Sequence, residues 1–180
     1  KQICCSRSFA QNCSDADAVA SALAVHAAQA ARRLRQQHCR ALAVSVFVLS
    51  NTFNPRQKQH VIHATTVFKY ATADTARITH AACEMMRARF VRGVGYKKAG
   101  IILSELMPEG TPEPLDLFDT PSPEQERREK LMQVLDSLTS RYGVSPLTTA
   151  VSTLSSGAAM RRERLSRCYT TRIADVLTAN

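Results

Sequence analysis

The chain has 180 residues, of which 44% are hydrophobic and 22% are charged. This composition is typical of one globular domain with extensions and excludes a disordered chain. The longest apolar run, at 41–49, is too short to span a bilayer, so we expect a cytoplasmic protein without membrane contact. Since the chain opens on Lys1 rather than Met and has no signal peptide, we expect it to be the C-terminal part of a longer protein.

The formal net charge of +9 is unevenly distributed along the chain. Residues 1–100 carry 15 basic and 4 acidic side chains, residues 101–136 carry 3 and 9, and residues 137–180 carry 6 and 2. The local balances are therefore +11, −6 and +4. This pattern predicts a basic folded module, an acidic tether and a small basic tail. A polyanion is the first partner to consider.

The chain begins with a predicted strand and helix. Residues 2–9 alternate as a strand, with Arg7 on the same face as the apolar side chains. Ser14 and Asp17 have the spacing of a capping box. Behind them, residues 19–34 place apolar side chains every three or four positions, which is the period of one helix face.

A second half of similar composition follows. Residues 42–49 and 61–70 are rich in β-branched side chains and predict two strands, separated by a polar loop at 51–59. Asp74 is placed to cap a second helix, and residues 96–103 predict the last strand. The βαββαβ order predicts an α+β module with a four-stranded sheet and both helices on one face. The other face is left open to a partner.

The rest of the chain differs in composition. Residues 107–123 contain five prolines and four acids and predict a linker. We therefore expect a module at 1–106, a linker at 107–123 and a small, mostly helical or irregular domain at 124–180. The last of these begins with a predicted amphipathic helix at 124–138, whose apolar face is Leu131, Val134, Leu135 and Leu138.

The module lacks the residues that catalysis needs. Its acids are Asp15, Asp17, Asp74 and Glu84, and three of these lie at predicted helix starts, where capping explains them. A two-metal site needs carboxylates that converge on one spot, so we expect no metal and no catalytic residue in this chain. The six cysteines include no C-x-x-C pair, which favours reduced thiols that act as small apolar side chains.

The open face suits a phosphate backbone. The candidate contacts are cations and a hydroxyl on three predicted strands: Arg7, Ser8, Lys69, Lys97 and Lys98. The alternative for each is an ordinary solvated strand position. An RNA-recognition motif has the same topology, and Phe68 and Tyr70 supply aromatics on the third strand, but its basic-Gly-aromatic-Gly-aromatic signature is absent.

The linker contains one apolar cluster, Leu115-Asp116-Leu117-Phe118. A cluster of this kind in an acidic tether can dock into a pocket on a partner protein. Each buried Leu or Phe would contribute roughly 1.5–3 kcal/mol of transfer free energy, less the cost of ordering the segment. The alternative is that these side chains fold back on the module, and the residues alone leave both readings open.

Several motifs, in order along the chain, resemble one known family. They are CSRSF at 5–9, DT at 74–75, GYKKAG at 95–100, LDLFD at 115–119, LMQVLD at 131–136 and MRRE at 160–163. Together they resemble the C-terminal part of UmuC-type Y-family translesion DNA polymerases. That part consists of the little finger, the clamp-binding motif and a small C-terminal domain of unknown function. Pro114 stands where the family's clamp-binding motif usually starts with Gln.

The resemblance implies a function in translesion DNA synthesis during the bacterial SOS response. The little finger would grip template–primer DNA, and Leu115, Asp116, Leu117 and Phe118 would bind the sliding clamp. A UmuD-type subunit and a recombinase filament are further implied partners. The Mg²⁺-binding palm would lie upstream, so we expect this chain alone to be inactive. The alternative is a free-standing nucleic-acid-binding or regulatory module without polymerase activity.

Overall fold

The computed structural model describes residues 1–54, 56–111, 123–142, 147–148 and 150–153, without the side chains of 123–126. Four strands form one antiparallel sheet in the order β1-β4-β2-β3. The strands are β1 (Ile3–Cys13), β2 (Cys39–Ser50), β3 (Val61–Thr72) and β4 (Tyr96–Pro108). With helices α1 (Ala16–Gln36) and α2 (Thr75–Arg87), they confirm the predicted βαββαβ order and the α+β class.

Both helices of the module begin at an aspartate. The carboxylate of Asp15 accepts hydrogen bonds from the backbone N–H groups of Asp17 and Ala18, each at 3.2 Å. Ser14 is therefore not the cap that the capping-box spacing predicted, because Asp15 lies one residue nearer to the first turn. Asp74 caps α2 as predicted, through the N–H groups of Ala76 and Arg77.

The hydrophobic core lies between the sheet and the two helices. One cluster joins α1 and α2 to the inner side chains of the central strands, which include Leu34, Val44, Ile78 and Ile101. A second cluster at the other end of the sheet surrounds Tyr96, whose side chain is fully buried. The hydroxyl of Tyr96 lies 2.9 Å from Nδ1 of His60 and accepts a hydrogen bond from the backbone N–H of Val91. The helices thus cover one face of the sheet and leave the other free of them.

The strands are longer than their sequence patterns predict. β1, β2 and β4 each extend beyond the residues of regular alternation, and the pairing is irregular near both ends of the sheet. Within β4, Glu105 has a positive φ of 53°. Such irregularities break the period-two pattern while the strands stay paired, which explains why each predicted strand stops before the observed strand ends.

A third helix, α3 (Pro123–Tyr142), follows the module and packs against it. Its buried side chains are Met132 and Thr139, whereas Leu131 and Val134 are 54% exposed. The helix predicted at 124–138 is therefore present, but its predicted apolar face is buried only in part, at Leu135 and Leu138. A short 3-10 turn, Ala150–Thr153, contacts α1, where Ser21 donates a hydrogen bond to the backbone carbonyl of Ser152.

No helix in the described part of the chain is both long enough and apolar enough to cross a membrane.

Candidate nucleic-acid interface

The candidate interface is the face of the sheet turned away from α1 and α2. The strand register brings outward-facing residues of the four strands into rows across this face. One row runs from Ser8 through Lys98 and Leu49 to Val61. The next row contains Ser6, Gly100, Phe47 and His63, and the third contains Cys4, Ile102, Ser45 and Thr65. This open face therefore carries hydroxyl groups, one central aromatic ring and the ammonium of Lys98.

Phe47 and Gly100 form the centre of the open face. A Cβ atom on Gly100 would lie 2.3 Å from Cζ of Phe47 and 2.5 Å from Cβ of Ser6. Glycine is thus the residue that leaves space for the Phe47 ring to lie across β4. The Nζ atom of Lys98 is 5.9 Å from the centre of the same ring, within the range of a cation–π contact. The ring therefore helps to hold the Lys98 ammonium over the sheet.

Two predicted contacts, Ser8 and Lys98, lie side by side on this face. Their Cα atoms are partners in the β1–β4 ladder, and the Ser8 side chain is exposed. Lys69 is exposed on the edge strand β3, where it lines a groove beside Ala76 of α2, and its Nζ lies 5.1 Å from the centre of the Tyr70 ring. A hydroxyl and two ammonium groups are the kind of donors that contact phosphate oxygens without reading sequence.

The other two predicted contacts are placed differently. Arg7 pairs with the buried Ala99 on the side of β1 that faces the helices, and its charge acts on His26 of α1. Lys97 lies where the β4 register shifts, and its Nζ donates hydrogen bonds to the backbone carbonyls of Phe9 and Ala10 at 2.8 and 3.2 Å. The open face thus brings together Ser8 and Lys98, with Lys69 on the edge strand, but not Arg7.

The aromatic residues of β3 do not form a platform on the open face. Phe68 packs against the hydrophobic core, and together with Tyr70 it lines a groove with Ala76 and His80 of α2. The feature that favoured an RNA-recognition motif therefore lies on the helix side. The open-face aromatic is Phe47, which is not among the contacts predicted from the sequence. The available signal was the alternation of 42–49, in which Phe47 lies opposite to the apolar set Val44, Val46 and Val48.

The four acids of residues 1–100 all have structural partners. Asp15 and Asp74 cap helices, and Asp74 also pairs with Arg128 of α3. Asp17 pairs with Arg87 at 3.1 Å, and Glu84 lies 3.3 Å from Nδ1 of His80. Among the described residues, no three His, Cys, Asp or Glu side chains are grouped so that they would hold a metal ion.

The described cysteines are free thiols, and several of them are wholly or partly buried. Burial raises the pKa of the thiols of Cys5, Cys13 and Cys83. The neighbouring Arg33 and Arg87 act in the opposite direction on Cys5 and Cys83, with a smaller effect. Since the thiolate is the reactive form, these three side chains are weak nucleophiles at neutral pH.

A polar interface joins α3 to the module. The guanidinium of Arg35 donates two hydrogen bonds to the carboxylate of Asp136, at 2.7 and 2.8 Å. It also donates to the backbone carbonyl of Ala73 and to Oγ1 of Thr75. Arg40 pairs with Glu129 at 2.9 Å. Arg35, Arg40 and Glu129 line a cavity of about 400 Å³ between α3 and the ends of β2 and β3.

The predicted clamp-binding residues Leu115, Asp116, Leu117 and Phe118 lie outside the described residues, as does the motif at 160–163. Their roles remain predictions from the sequence.

Comparison with known proteins assigns the family. Residues 1–117 match the model of the impB/mucB/samB family C-terminal domain. The chain belongs to this family. Residues 129–179 match a second model, described as a domain of unknown function (DUF4113). The two matches follow one another along the chain, and the second includes most of α3.

The family includes proteins from Salmonella typhimurium that match nearly the whole chain. It is 35% identical to Protein ImpB over 98% of its own length and 34% identical to Protein UmuC over 98%. These matches cover 41% and 42% of the two relatives, so the chain spans about two fifths of their length. The chain therefore contains the little-finger region of UmuC-type Y-family polymerase homologues.

One solved structure similar to this chain is a complex of beta-clamp processivity factor and little finger domain of PolIV. Its sequence is 13% identical, and the TM-score is 0.43. The match covers 66% of this chain and 100% of that chain. The family assignment comes from the sequence matches alone.

Proposed function

We propose that this chain is the DNA-gripping and clamp-recruiting region of an error-prone translesion DNA polymerase that acts in SOS DNA repair. The open face would hold template–primer DNA, and Leu115, Asp116, Leu117 and Phe118 would bind the bacterial sliding clamp. The observation that supports this most directly is the row that holds Ser8 beside Lys98, with the Phe47 ring under the Lys98 ammonium. It lies on the open sheet of a little-finger domain.

The chemistry of the open face favours contact with the DNA backbone rather than with base edges. Hydroxyl groups and ammonium groups bind phosphate oxygens of any sequence. None of its three rows contains Asn or Gln, which read adenine, or Arg, and Lys98 is the one side chain in them of a type that reads guanine. Such a grip suits a polymerase that must hold DNA wherever synthesis has stopped.

The polymerase activity itself would reside in the part of the protein that this chain does not cover. Each of the four acids in residues 1–100 caps a helix or lies within 3.3 Å of a basic side chain. We therefore assign the Mg²⁺-dependent chemistry to a palm domain in the remaining part of the relatives' length. A UmuD-type subunit and a recombinase filament are further proposed partners, and a cytoplasmic location follows from the function.

Measuring the affinity for duplex DNA tests the proposed grip. Lys98→Ala removes the ammonium over Phe47 and should weaken duplex binding by about three- to tenfold. Lys130→Ala is the matched control, because Lys130 is an exposed lysine on α3 and lies away from the sheet. The Lys130→Ala variant should bind duplex DNA with the same affinity as the unchanged chain. Equal affinities for all three proteins, or no DNA binding by the unchanged chain, would contradict the proposal.

Replacing both Leu117 and Phe118 with Ala tests clamp recruitment. These substitutions remove most of the apolar surface of the motif, so binding to purified sliding clamp should be lost. DNA binding should be unchanged, because neither Leu117 nor Phe118 is among the residues that define the open face. Unchanged clamp affinity in the double variant would refute the assignment of the motif.

A further inference from the structure

The loop between β2 and β3 presents an isolated aromatic ring. The side chain of Phe53 is 95% exposed, and the other large hydrophobic side chains of the described residues are at most 61% exposed. Single exposed apolar residues are common, so exposure alone assigns no function. The surroundings of Phe53 supply the further evidence.

The loop is held in one conformation by a glutamine at its base. Nε2 of Gln59 donates hydrogen bonds to the backbone carbonyls of Asn51 and Asn54, both at 2.9 Å. Oε1 of Gln59 accepts a hydrogen bond from Ser50 Oγ at 2.8 Å, and Oδ1 of Asn51 accepts one from the backbone N–H of Phe53. A partner that contacts Phe53 would therefore pay little for ordering this segment.

The charge of the loop favours a polyanion. Residues 51–60 include Arg56 and Lys58, both exposed, and no acidic residue. The strand ends that the loop joins also lie in the row of Lys98, because Leu49 pairs with both Val61 and Lys98. The loop therefore follows directly on from this row of the open face.

We infer that Phe53 stacks on an unpaired base next to the duplex held by the open face, while Arg56 and Lys58 contact the adjoining phosphates. Aromatic rings combined with cations are an arrangement by which proteins bind single-stranded nucleic acid without sequence preference. The inference rests on the proposed function, because the sheet must hold the duplex part of the DNA. It adds a second contact, to the single-stranded part of a template–primer junction.

A tryptophan reporter tests the stacking directly. The chain contains no Trp, so Phe53→Trp places its single tryptophan in this loop, where it can be excited selectively over the tyrosines. Its fluorescence should be quenched by a duplex with a single-stranded overhang and unchanged by the blunt duplex. Tyr142→Trp is the control, because Tyr142 is exposed on α3, and neither DNA should quench it. An overhang that binds without quenching the tryptophan at position 53 would overturn the inference.

Affinities of Phe53 variants for overhang DNA and for blunt duplex test this inference separately from the proposed grip. Phe53→Ala should weaken binding of the overhang DNA by about tenfold and leave binding of the blunt duplex unchanged. Phe53→Leu should behave like Phe53→Ala, because stacking needs a planar ring, and Phe53→Tyr should restore affinity. Equal loss for both DNAs, or none for either, overturns the inference alone. Failure of the unchanged chain to bind either DNA overturns the proposed grip as well.

Discussion

At the scale of single residues, the centre of the open face depends on the absence of one side chain. Gly100 lies on β4 between Ser6 of β1 and Phe47 of β2. The Phe47 ring can rotate away from an added methyl group. Cβ of Ser6, which would lie 2.5 Å from that methyl carbon, moves only with its strand. Overpacking at this point therefore strains the pairing of β1 with β4.

Gly100→Ala should accordingly lower the free energy of unfolding by about 1–3 kcal/mol, because the methyl group overlaps Ser6 and Phe47. Urea unfolding followed by circular dichroism measures this. Adding Ser6→Gly removes the nearer rigid contact and should recover part of the loss. If Gly100→Ala alone is as stable as the unchanged chain, the fold does not need the close approach of the Phe47 ring and β1 to Gly100.

His26 gives the module a defined response to acid. Its side chain is buried in α1, and Nδ1 has no hydrogen-bond partner among the described residues. Burial lowers the pKa of His26 below its usual 6.5, the charge of Arg7 lowers it further, and a hydrogen bond with Gln29 partly opposes both effects. The unfolded chain therefore binds a proton at a higher pH than the folded chain does.

It follows that the free energy of unfolding should fall as the pH drops below about 6.5, where His26 of the unfolded chain becomes protonated first. Above that pH the contribution is fully present. Urea unfolding at a series of pH values should show a smaller dependence for His26→Gln. His63→Gln, at an exposed position on the open face, should keep the full dependence. Identical profiles for the two variants would contradict the role of His26.

At the scale of elements, local patterns predicted the strands, the helices and their order. Alternation found the centre of every strand, and the position of Asp74 marked the start of α2. The packing of α3 could not be predicted in the same way. The module binds α3 mainly through Arg35, Arg40 and Asp74, which come from three different elements. Only the folded chain brings such distant residues together, so the apolar pattern of α3 predicted only part of its buried side.

The Arg35–Asp136 pair is the strongest candidate for holding α3 in place. Arg35 is only 13% exposed, and its guanidinium makes four hydrogen bonds. Arg35→Ala should lower the free energy of unfolding by about 2 kcal/mol and speed hydrogen exchange in α3, because it leaves Asp136 and the Ala73 carbonyl unpaired.

The exposed pair of Arg87 with Asp17 is a matched control for this substitution. Both partners are more than half exposed, so Arg87→Ala should cost less than about 1 kcal/mol. It should also leave exchange in α3 unchanged, because the pair joins α1 to α2 and does not include a residue of α3. Equal losses for the two variants, or unchanged exchange in α3 after Arg35→Ala, would show that the ion pair does not hold the helix.

At the scale of the whole molecule, the sequence indicated where charge is concentrated along the chain but not on which surface. Of the 15 basic residues in 1–100, several are used within the fold. Arg35 and Arg40 bind α3, Arg87 binds Asp17, and Lys97 binds carbonyl groups of β1. Side-chain direction and ion pairing depend on the folded structure, so a charge count overstates the cations that a partner on the open face can reach.

This distribution predicts a moderate salt dependence for binding of template–primer DNA. Lys69 and Lys98 on the sheet, with Arg56 and Lys58 on the loop, would neutralise about four phosphates. The logarithm of the binding constant should then fall with the logarithm of salt concentration with a slope of about −3.5, since each neutralised phosphate contributes about −0.9. If the whole +11 balance contacted DNA, the slope would be near −10.

Titrations at several salt concentrations measure this slope by fluorescence anisotropy. Replacing both Arg56 and Lys58 with Ala should reduce its magnitude by about 1.8, because two phosphate contacts are lost. Lys130→Ala should leave it unchanged. A slope near −10 would mean that arginines on the helix side also contact DNA, and a slope near zero would contradict an electrostatic grip. The intermediate value is expected because the fold uses much of the module's positive charge internally.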